Sequence, residues 1–158
     1  MPASQNPPPP TRRTAFLLSQ LGSFAADRFA QEVRELGLSA SDAGVLRLLA
    51  RSPGLSQRAL ADRLGAVPSR VVVLVDSLEI RGLVLRTRSA SDRRNHELTL
   101  TEAGTAMLGR LRTVGEGHES DVLDPLSTAE RAQLNGLLRK LAAAHGLDAD
   151  VHPGYARG

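Results

Sequence analysis

The sequence predicts a mainly α fold with a small two- to three-stranded β wing. Three observations support this class. Residues 67–83, VPSRVVVLVDSLEIRGL, have the pattern of a helix that begins at a proline and ends at a glycine. A shorter helix is predicted just before it, at residues 57–64, and a basic strand–turn–strand follows at 83–100. This order is that of a winged helix-turn-helix, whose second helix enters the DNA major groove.

Composition narrows the class further. The chain has 158 residues, 41% of them hydrophobic, which is enough for one domain with its own core. It has no cysteine, which excludes disulfides and thiolate metal sites and agrees with a cytoplasmic location. No apolar run approaches the roughly 18–20 residues of a membrane span, so no membrane partner is expected.

The formal net charge of +3 conceals an uneven distribution. Residues 47–94 contain ten arginines and four acidic residues, a net of +6, whereas residues 101–151 contain five basic and eight acidic residues, a net of −3. A basic middle region favours contact with a polyanion, and the acidic C-terminal region favours a different task.

The N-terminal half contains two predicted helices before the helix-turn-helix. Residues 1–10 are rich in proline and predict a disordered arm. Residues 12–36 predict one long helix that stops at Gly37. Its apolar stripe is rich enough to pack on its own domain or partly on a second subunit. Ser39 and Asp42 form a capping-box-like start for a helix that runs to about Arg51.

The helix-turn-helix follows a break at residues 52–54. Ser56 is the predicted cap of the helix at 57–64, and Gly65 is its stop. Pro68 suits the first turn of the next helix, where no amide donor is needed. Helical spacing assigns four residues of that helix to the core, namely Val71, Leu74, Val75 and Leu78.

Two strands and two helices complete the prediction. Residues 83–88 and 96–100 are the strand candidates. Thr101 caps a long helix to about Leu123, which Gly109, Gly115 and Gly117 are expected to loosen. Ser127 and Glu130 form a capping box for a last helix to Ala144. Its apolar stripe consists of Leu134, Leu137, Leu138 and Leu141.

Three motifs in order resemble the MarR family of bacterial transcription regulators. They are VDSLEIRGLV at 75–84, DRR at 92–94 and LTLTEAG at 98–104. The resemblance implies a homodimer that binds double-stranded DNA at a near-palindromic operator, usually as a repressor. It also implies a possible small aromatic or phenolic acid as effector, bound between the DNA-binding lobe and the dimerisation region.

The resemblance also implies a division of the chain. Residues 11–145 form a single MarR-like domain, preceded by the proline-rich arm at 1–10 and followed by a mobile tail at 146–158. Within the domain, residues 38–100 are the winged helix-turn-helix lobe. Residues 11–37 and 101–145 form the helical dimerisation region.

The predicted DNA-binding residues lie on the two helices and the wing. Arg70 is the leading base reader, because an arginine fork matches guanine O6 and N7. Val72 or Val73 could contact a thymine methyl group, although a core role is equally compatible with Val72. Alternating Arg86 and Arg88 are expected to contact phosphates. The complete set is Ser56, Gln57, Arg58, Pro68, Ser69, Arg70, Val72, Val73, Ser77, Arg86, Arg88, Asp92, Arg93 and Arg94.

Within this set, several roles come from position or from the resemblance. Ser56, Gln57 and Arg58 begin a helix, whose positive end favours phosphate. The resemblance implies that one of Arg93 and Arg94 reaches the minor groove. It also implies that Asp92 braces an arginine in or near the wing.

Some positions depart from the family pattern. Val67 stands where a capping serine or threonine is usual, and Val72-Val73 stand where threonine and arginine are common. Ser77 stands where the family often has arginine. The recognition helix therefore offers fewer polar contacts than usual, which leaves the operator sequence open.

Other classes of function find less support. No catalytic constellation or phosphate-binding glycine loop is present, so no enzyme activity and no cofactor are expected. His118 with Asp121 is the one pair considered for a surface metal site, and it is not favoured. The remaining alternatives are a winged-helix protein-interaction module and a small-molecule-binding module, each without DNA binding.

Overall fold

A computed structural model describes residues 13–89 and 96–148 of the chain. Within these residues a three-stranded sheet and the short helices form a lobe, and long helices stand at both ends of the chain. The elements are α1 (Thr14–Glu35), α2 (Ala40–Arg51), β1 (Leu55–Ser56), α3 (Gln57–Leu64), α4 (Pro68–Ile80), β2 (Val84–Arg88), β3 (His96–Leu100), α5 (Glu102–Val122) and α6 (Thr128–Ala144). The mainly α class with a small β wing is confirmed.

The helices of the lobe begin and end where the sequence predicts. The Ser39 hydroxyl accepts a hydrogen bond from the Asp42 amide at 3.0 Å, and the Asp42 carboxylate accepts from the Ser39 amide at 2.8 Å. This reciprocal pair fixes the start of α2. Gly65 follows α3 with φ of +61°, a left-handed conformation that glycine adopts without strain and that turns the chain into α4.

The sheet holds the wing against the helix-turn-helix. Its strand order is β1-β3-β2, and both pairings are antiparallel. Leu98 of β3 lies opposite Leu55 on one side and Arg86 on the other. Because Leu98 is fully buried, the central strand joins the wing to the lobe core.

The core lies mainly inside the lobe but reaches both long helices. Val33 near the end of α1 and Leu111 in the middle of α5 are completely buried together with the lobe residues. The core side chains of α4 are those that helical spacing predicts, apart from Leu74, which is only partly buried. The fully buried large residues are Leu38, Leu46, Leu49, Leu60, Leu78, Leu98, Leu111, Val33, Val45, Val71, Val75 and Val84.

Helix α5 is fastened to the turn between α4 and β2. The Thr101 hydroxyl accepts from the Gly104 amide at 2.9 Å and donates to the Gly82 carbonyl at 2.6 Å. A Cβ atom at Gly104 would lie 2.0 Å from the Leu83 carbonyl oxygen, so only glycine permits this approach. The three further glycines do not interrupt α5, which runs from Glu102 to Val122.

Helix α6 depends on its own N-terminal cap, because none of its residues is buried. Ser127 donates to Glu130 through its amide at 2.9 Å and its hydroxyl at 2.8 Å. The hydrogen bond from the Ser127 amide lowers the pKa of Glu130 below its usual value, and the hydrogen bond from the Ser127 hydroxyl lowers it further. The stability that the charged Glu130 contributes is therefore present above its ordinary pKa and is lost as pH falls through the lowered pKa.

The predicted apolar stripe of α6 exists but is not covered. Leu134 is half-buried, whereas Leu137, Leu138 and Leu141 are exposed. The N-terminal half of α1 shows the same feature, with Phe16, Leu17, Leu21 and Phe24 exposed. Both ends of the chain thus present apolar surface that the lobe does not bury.

Some predictions fall outside the described residues. These are the proline-rich arm at 1–10 and most of the tail predicted at 146–158. Across the described ranges, no helix combines the length and apolar character that crossing a membrane requires.

Candidate nucleic-acid interface

The candidate interface is built on α4, which one face fixes to the core. Val71, Val75 and Leu78 are completely buried there. Pro68 occupies the first turn. Val67 provides no side-chain cap, because its apolar side chain has no atom that accepts a hydrogen bond. The helix is therefore positioned by packing rather than by a polar cap.

The opposite face of α4 is exposed and largely apolar. Ser69 and Ser77 are exposed there, and Arg70, predicted as an exposed arginine, is half-buried. Val73 is 67% exposed and Val72 is 42% exposed. The core role left open for Val72 is therefore wrong, and both valines belong to the outward surface.

Arg86 of β2 ties the wing to this helix. Its guanidinium donates to the Glu79 carboxylate at 2.5 Å and also to the Asp76 carboxylate, and its backbone amide donates to Glu79 at 3.3 Å. The Arg86 side chain is only 20% exposed. Burial lowers the pKa of Arg86, but hydrogen bonds and charges from Asp76 and Glu79 raise it more, so the guanidinium stays charged.

The contacts of Arg86 differ from the predicted phosphate contacts. A guanidinium whose two terminal nitrogens already donate to carboxylates is a poor phosphate ligand, because its charge is compensated. In this structure Arg86 joins the wing strand β2 to α4. The sequence carried the signal: Asp76 and Glu79 are one turn apart on α4, and the arginine follows in the next strand.

The other predicted phosphate contacts lie near the start of α3 and along β2. Arg58 and Arg88 are exposed. The Ser56 hydroxyl accepts from the Ala59 amide at 3.1 Å and thus caps α3. The Gln57 side-chain nitrogen is buried and has no hydrogen-bond partner among the described residues, so it retains a free donor.

The remaining predicted residues fall in the sequence between β2 and β3. Asp92, Arg93 and Arg94 lie outside the described residues. The strands before and after them are paired up to Arg88 and His96, which lie opposite each other. The predicted roles of these three residues remain predictions.

A cavity of about 820 Å³ lies between the lobe and the C-terminal helices. Five arginines from four helices line it, whereas its acidic lining consists of two glutamates, Glu116 and Glu119. Sequence reasoning missed this site, because the arginines are spread over more than eighty residues and no spacing rule connects them. They are Arg47, Arg51, Arg63, Arg112 and Arg131.

Two of these arginines are held in place by neutral groups. Arg63 donates to the Ser52 hydroxyl at 2.6 Å, and Arg131 donates to the Leu126 carbonyl at 3.0 Å. Neutral partners leave the positive charges uncompensated. The cavity can therefore attract an anion.

A cluster of α1 and α5 residues lies beside the cavity. The Arg47 guanidinium carbon lies 5.1 Å from the centre of the Phe29 ring, and the His118 ring meets the same ring edge-on at 5.5 Å. His118 Nδ1 lies 3.4 Å from Glu32, while Asp121 pairs with Arg28 at 2.8 Å. His118 and Asp121 thus face different partners, and no metal-binding group of three or more ligands occurs in the described ranges.

Comparison with known proteins identifies relatives that are transcriptional regulators. The sequence profile of the MarR family matches residues 36–95. A protein of Thauera aromatica, described as a candidate transcriptional regulator of the hcr operon, is 38% identical over 122 residues, covering 76% of this chain and 74% of that protein. The transcriptional repressor Rv2887 of Mycobacterium tuberculosis is 30% identical over 128 residues, covering 81% of this chain and 92% of the repressor.

Solved structures of transcriptional repressors superpose on most of this chain. The transcriptional repressor CouR bound to a 23-mer DNA duplex superposes with a TM-score of 0.73 at 34% identity, covering 82% of this chain and 92% of CouR. Rv2887 in complex with salicylic acid superposes with a TM-score of 0.67 at 30% identity, covering 81% and 95%. Rv2887 has also been solved in complex with DNA, with a TM-score of 0.72 at 27% identity, covering 81% and 96%.

The ion pairs of Arg86 with Asp76 and Glu79, called the Arg86 bridge, should stabilise the fold. Replacing Arg86 with glutamine leaves two carboxylates near each other without their cation, so we expect the free energy of unfolding to fall by about 1–2 kcal/mol. Urea titration followed by circular dichroism measures this loss. Arg88→Gln, in the same strand but exposed, should change stability by less than about 0.5 kcal/mol.

A compensating variant separates the bridge from a general effect of residue 86. Adding Asp76→Asn and Glu79→Gln to Arg86→Gln removes both uncompensated charges, and most of the lost stability should return. An unchanged deficit in that triple variant would show that the carboxylates are not the cause.

Proposed function

The chain belongs to the MarR family of DNA-binding transcriptional regulators, and we propose that it is a dimeric repressor of a near-palindromic operator. The observation that carries this proposal is the joint presentation of α4 and the wing. Core packing fixes one face of α4, and Arg86 fixes β2 to the same helix through Asp76 and Glu79. A helix and a wing held in one geometry can engage a major groove and its flanking phosphates together.

Residue roles within the interface follow from position on α3, α4 and β2. Arg70, half-buried in the first turns of α4, is the proposed guanine reader, and the exposed Ser69 and Ser77 are proposed to donate to bases or phosphates. The exposed Arg88 and Arg58 are the proposed phosphate contacts, and Gln57 at the start of α3 is proposed to join them. Pro68 places this surface by starting the helix, and Ser56 does the same for α3.

The proposed dimer uses the apolar surfaces at the two ends of the chain. Several large apolar side chains are exposed on the two terminal helices, and exposed apolar surfaces of this kind often mark protein–protein contacts. They are Leu137, Leu138 and Leu141 on α6 and Phe16 and Phe24 on α1. A second copy of the chain is the proposed cover, because two lobes related by a twofold axis would read a palindrome. Their recognition helices would lie about 34–36 Å apart, one turn of DNA.

The proposed effector is a small aromatic acid. Rv2887 has been solved with salicylic acid and with p-aminosalicylic acid. In this chain the arginine-lined cavity, between lobe and terminal helices, has the charge for a carboxylate. An acid bound there would change the angle between the lobe and the dimerisation region. By reciprocity, DNA would weaken acid binding by the same factor.

DNA binding is tested by selecting duplexes from a random library with the full chain. We expect one family of near-palindromic sequences to be enriched, and the logarithm of affinity to fall linearly with the logarithm of salt concentration. Arg70→Ala should lower the affinity for the selected duplex by about tenfold or more and relax the base preference at one position per half-site. Arg88→Gln should instead lower the affinity for all sequences alike and reduce the slope of log affinity against log salt concentration by about one.

The outcome also decides between the remaining alternatives. A selection that enriches no sequence, or binding that does not depend on salt, would favour a protein-interaction module. Equal affinity of the Arg70→Ala variant and the unaltered chain would overturn the assignment of the base reader alone.

The dimer is tested with a pair of substitutions on α6. Leu137→Glu/Leu141→Glu should convert the chain to a monomer in sedimentation equilibrium, because two charges cannot be buried in an apolar interface. The monomer should lose high-affinity binding to the full operator. Leu85→Glu is the matched control, since Leu85 is 48% exposed, Leu141 is 46% exposed, and Leu85 lies on the wing. A variant at 137 and 141 that remains dimeric would place the interface elsewhere.

The effector is tested with salicylate and its neutral amide as probes. Salicylate should release the selected duplex, and salicylamide should not, because the arginines bind a charge. Arg112→Gln should raise the salicylate concentration needed for release by about fivefold or more. Arg110→Gln, two residues away on α5 and not part of the cavity lining, is the matched control. Equal release by the amide, or equal effects of the two variants, would contradict an arginine-bound acid in this cavity.

A further inference from the structure

The outermost row of α4 contains one residue from each turn. Helical geometry, at 3.6 residues per turn, places Ser69, Val73, Asp76 and Ile80 opposite the buried face of Val71, Val75 and Leu78. Residues near the start of a recognition helix contact base edges, and Val73 is the sixth residue of α4. Val73 is therefore the large side chain at the centre of the surface that would enter the groove.

Polar readout at the centre of this row is weak. Asp76, one turn after Val73, is held by the Arg86 guanidinium and cannot readily turn towards a base. Val72 lies at the flank of the row and is less exposed than Val73. An apolar side chain thus stands where a recognition helix usually carries a hydrogen-bonding one.

The chemistry of the major groove limits what can face Val73. Guanine, cytosine and adenine present donors or acceptors there, and burying one of these against valine without a partner costs free energy. Thymine presents the O4 acceptor as well, but it alone adds a 5-methyl group, which is the apolar feature of the groove edge. Contact between that methyl group and valine removes apolar surface from water on both sides.

We propose that Val73 is a specificity-determining residue that selects a thymine at one position of each half-site through its 5-methyl group. This inference rests on the proposed function. Valine has no hydrogen-bonding group, so Val73 would distinguish bases only through apolar contact. The preference should therefore be for the 5-methyl group of thymine and not for the hydrogen bonds of the base pair.

The test uses the duplex selected with the full chain. Each thymine is replaced in turn by deoxyuridine, which keeps every hydrogen bond and lacks only the methyl group. We expect one thymine per half-site to be sensitive, with affinity falling about fourfold for one replacement and about fifteenfold for both, as loss of a buried methyl group implies. Val73→Ser should bind the thymine and deoxyuridine duplexes equally.

Ile80→Ser is the matched control, since it removes an exposed apolar side chain from the far end of the same row. It should keep the deoxyuridine sensitivity of the unaltered chain. Retention of the sensitivity in Val73→Ser would overturn the assignment, and so would a selected duplex without a methyl-sensitive thymine. Either result leaves DNA binding intact, whereas a library selection that enriches nothing would refute the proposed function itself.

Discussion

The ion pairs of Arg86 with Asp76 and Glu79 control the geometry of the DNA-facing surface. They join strand β2 to helix α4 through directional, charged hydrogen bonds. Two carboxylates on successive turns of α4 fix both the position and the tilt of the guanidinium. The arginine is only partly exposed, so water and salt screen the pairs less than they would screen a surface ion pair.

The ion pairs also reduce the number of polar groups that α4 can offer to DNA. Asp76 is drawn towards the wing, and the helix has no side-chain cap at Val67 and two exposed valines at its centre. One lobe therefore has few groups with which to read a sequence. In the proposed dimer two lobes held in a fixed register would compensate, because the free energies of the two half-sites add while the loss of translational freedom occurs once.

Sequence reasoning predicted the local structure well, because local rules determine it. Capping by Ser39, the proline at 68 and the glycine at 65 each act within a few residues, and each helix end follows. The role of Arg86 was not predicted, since its charge pattern alone does not distinguish a phosphate contact from an internal pair. The arginine-lined cavity depends on how four helices converge, and the exposed stripe of α6 depends on what the lobe fails to cover. The roles of Arg93 and Arg94 at the wing tip remain predictions.

The close approach of Gly104 to the Leu83 carbonyl has a mechanical consequence. It places the base of α5 directly against the turn that follows α4. Helix α5 has 21 residues and is therefore about 31 Å long. A rotation of about 5° at one end of a rod of that length displaces the other end by about 3 Å. In the proposed dimer the helix would act as a lever arm, through which a small rearrangement beside the cavity would change the separation of the two recognition helices.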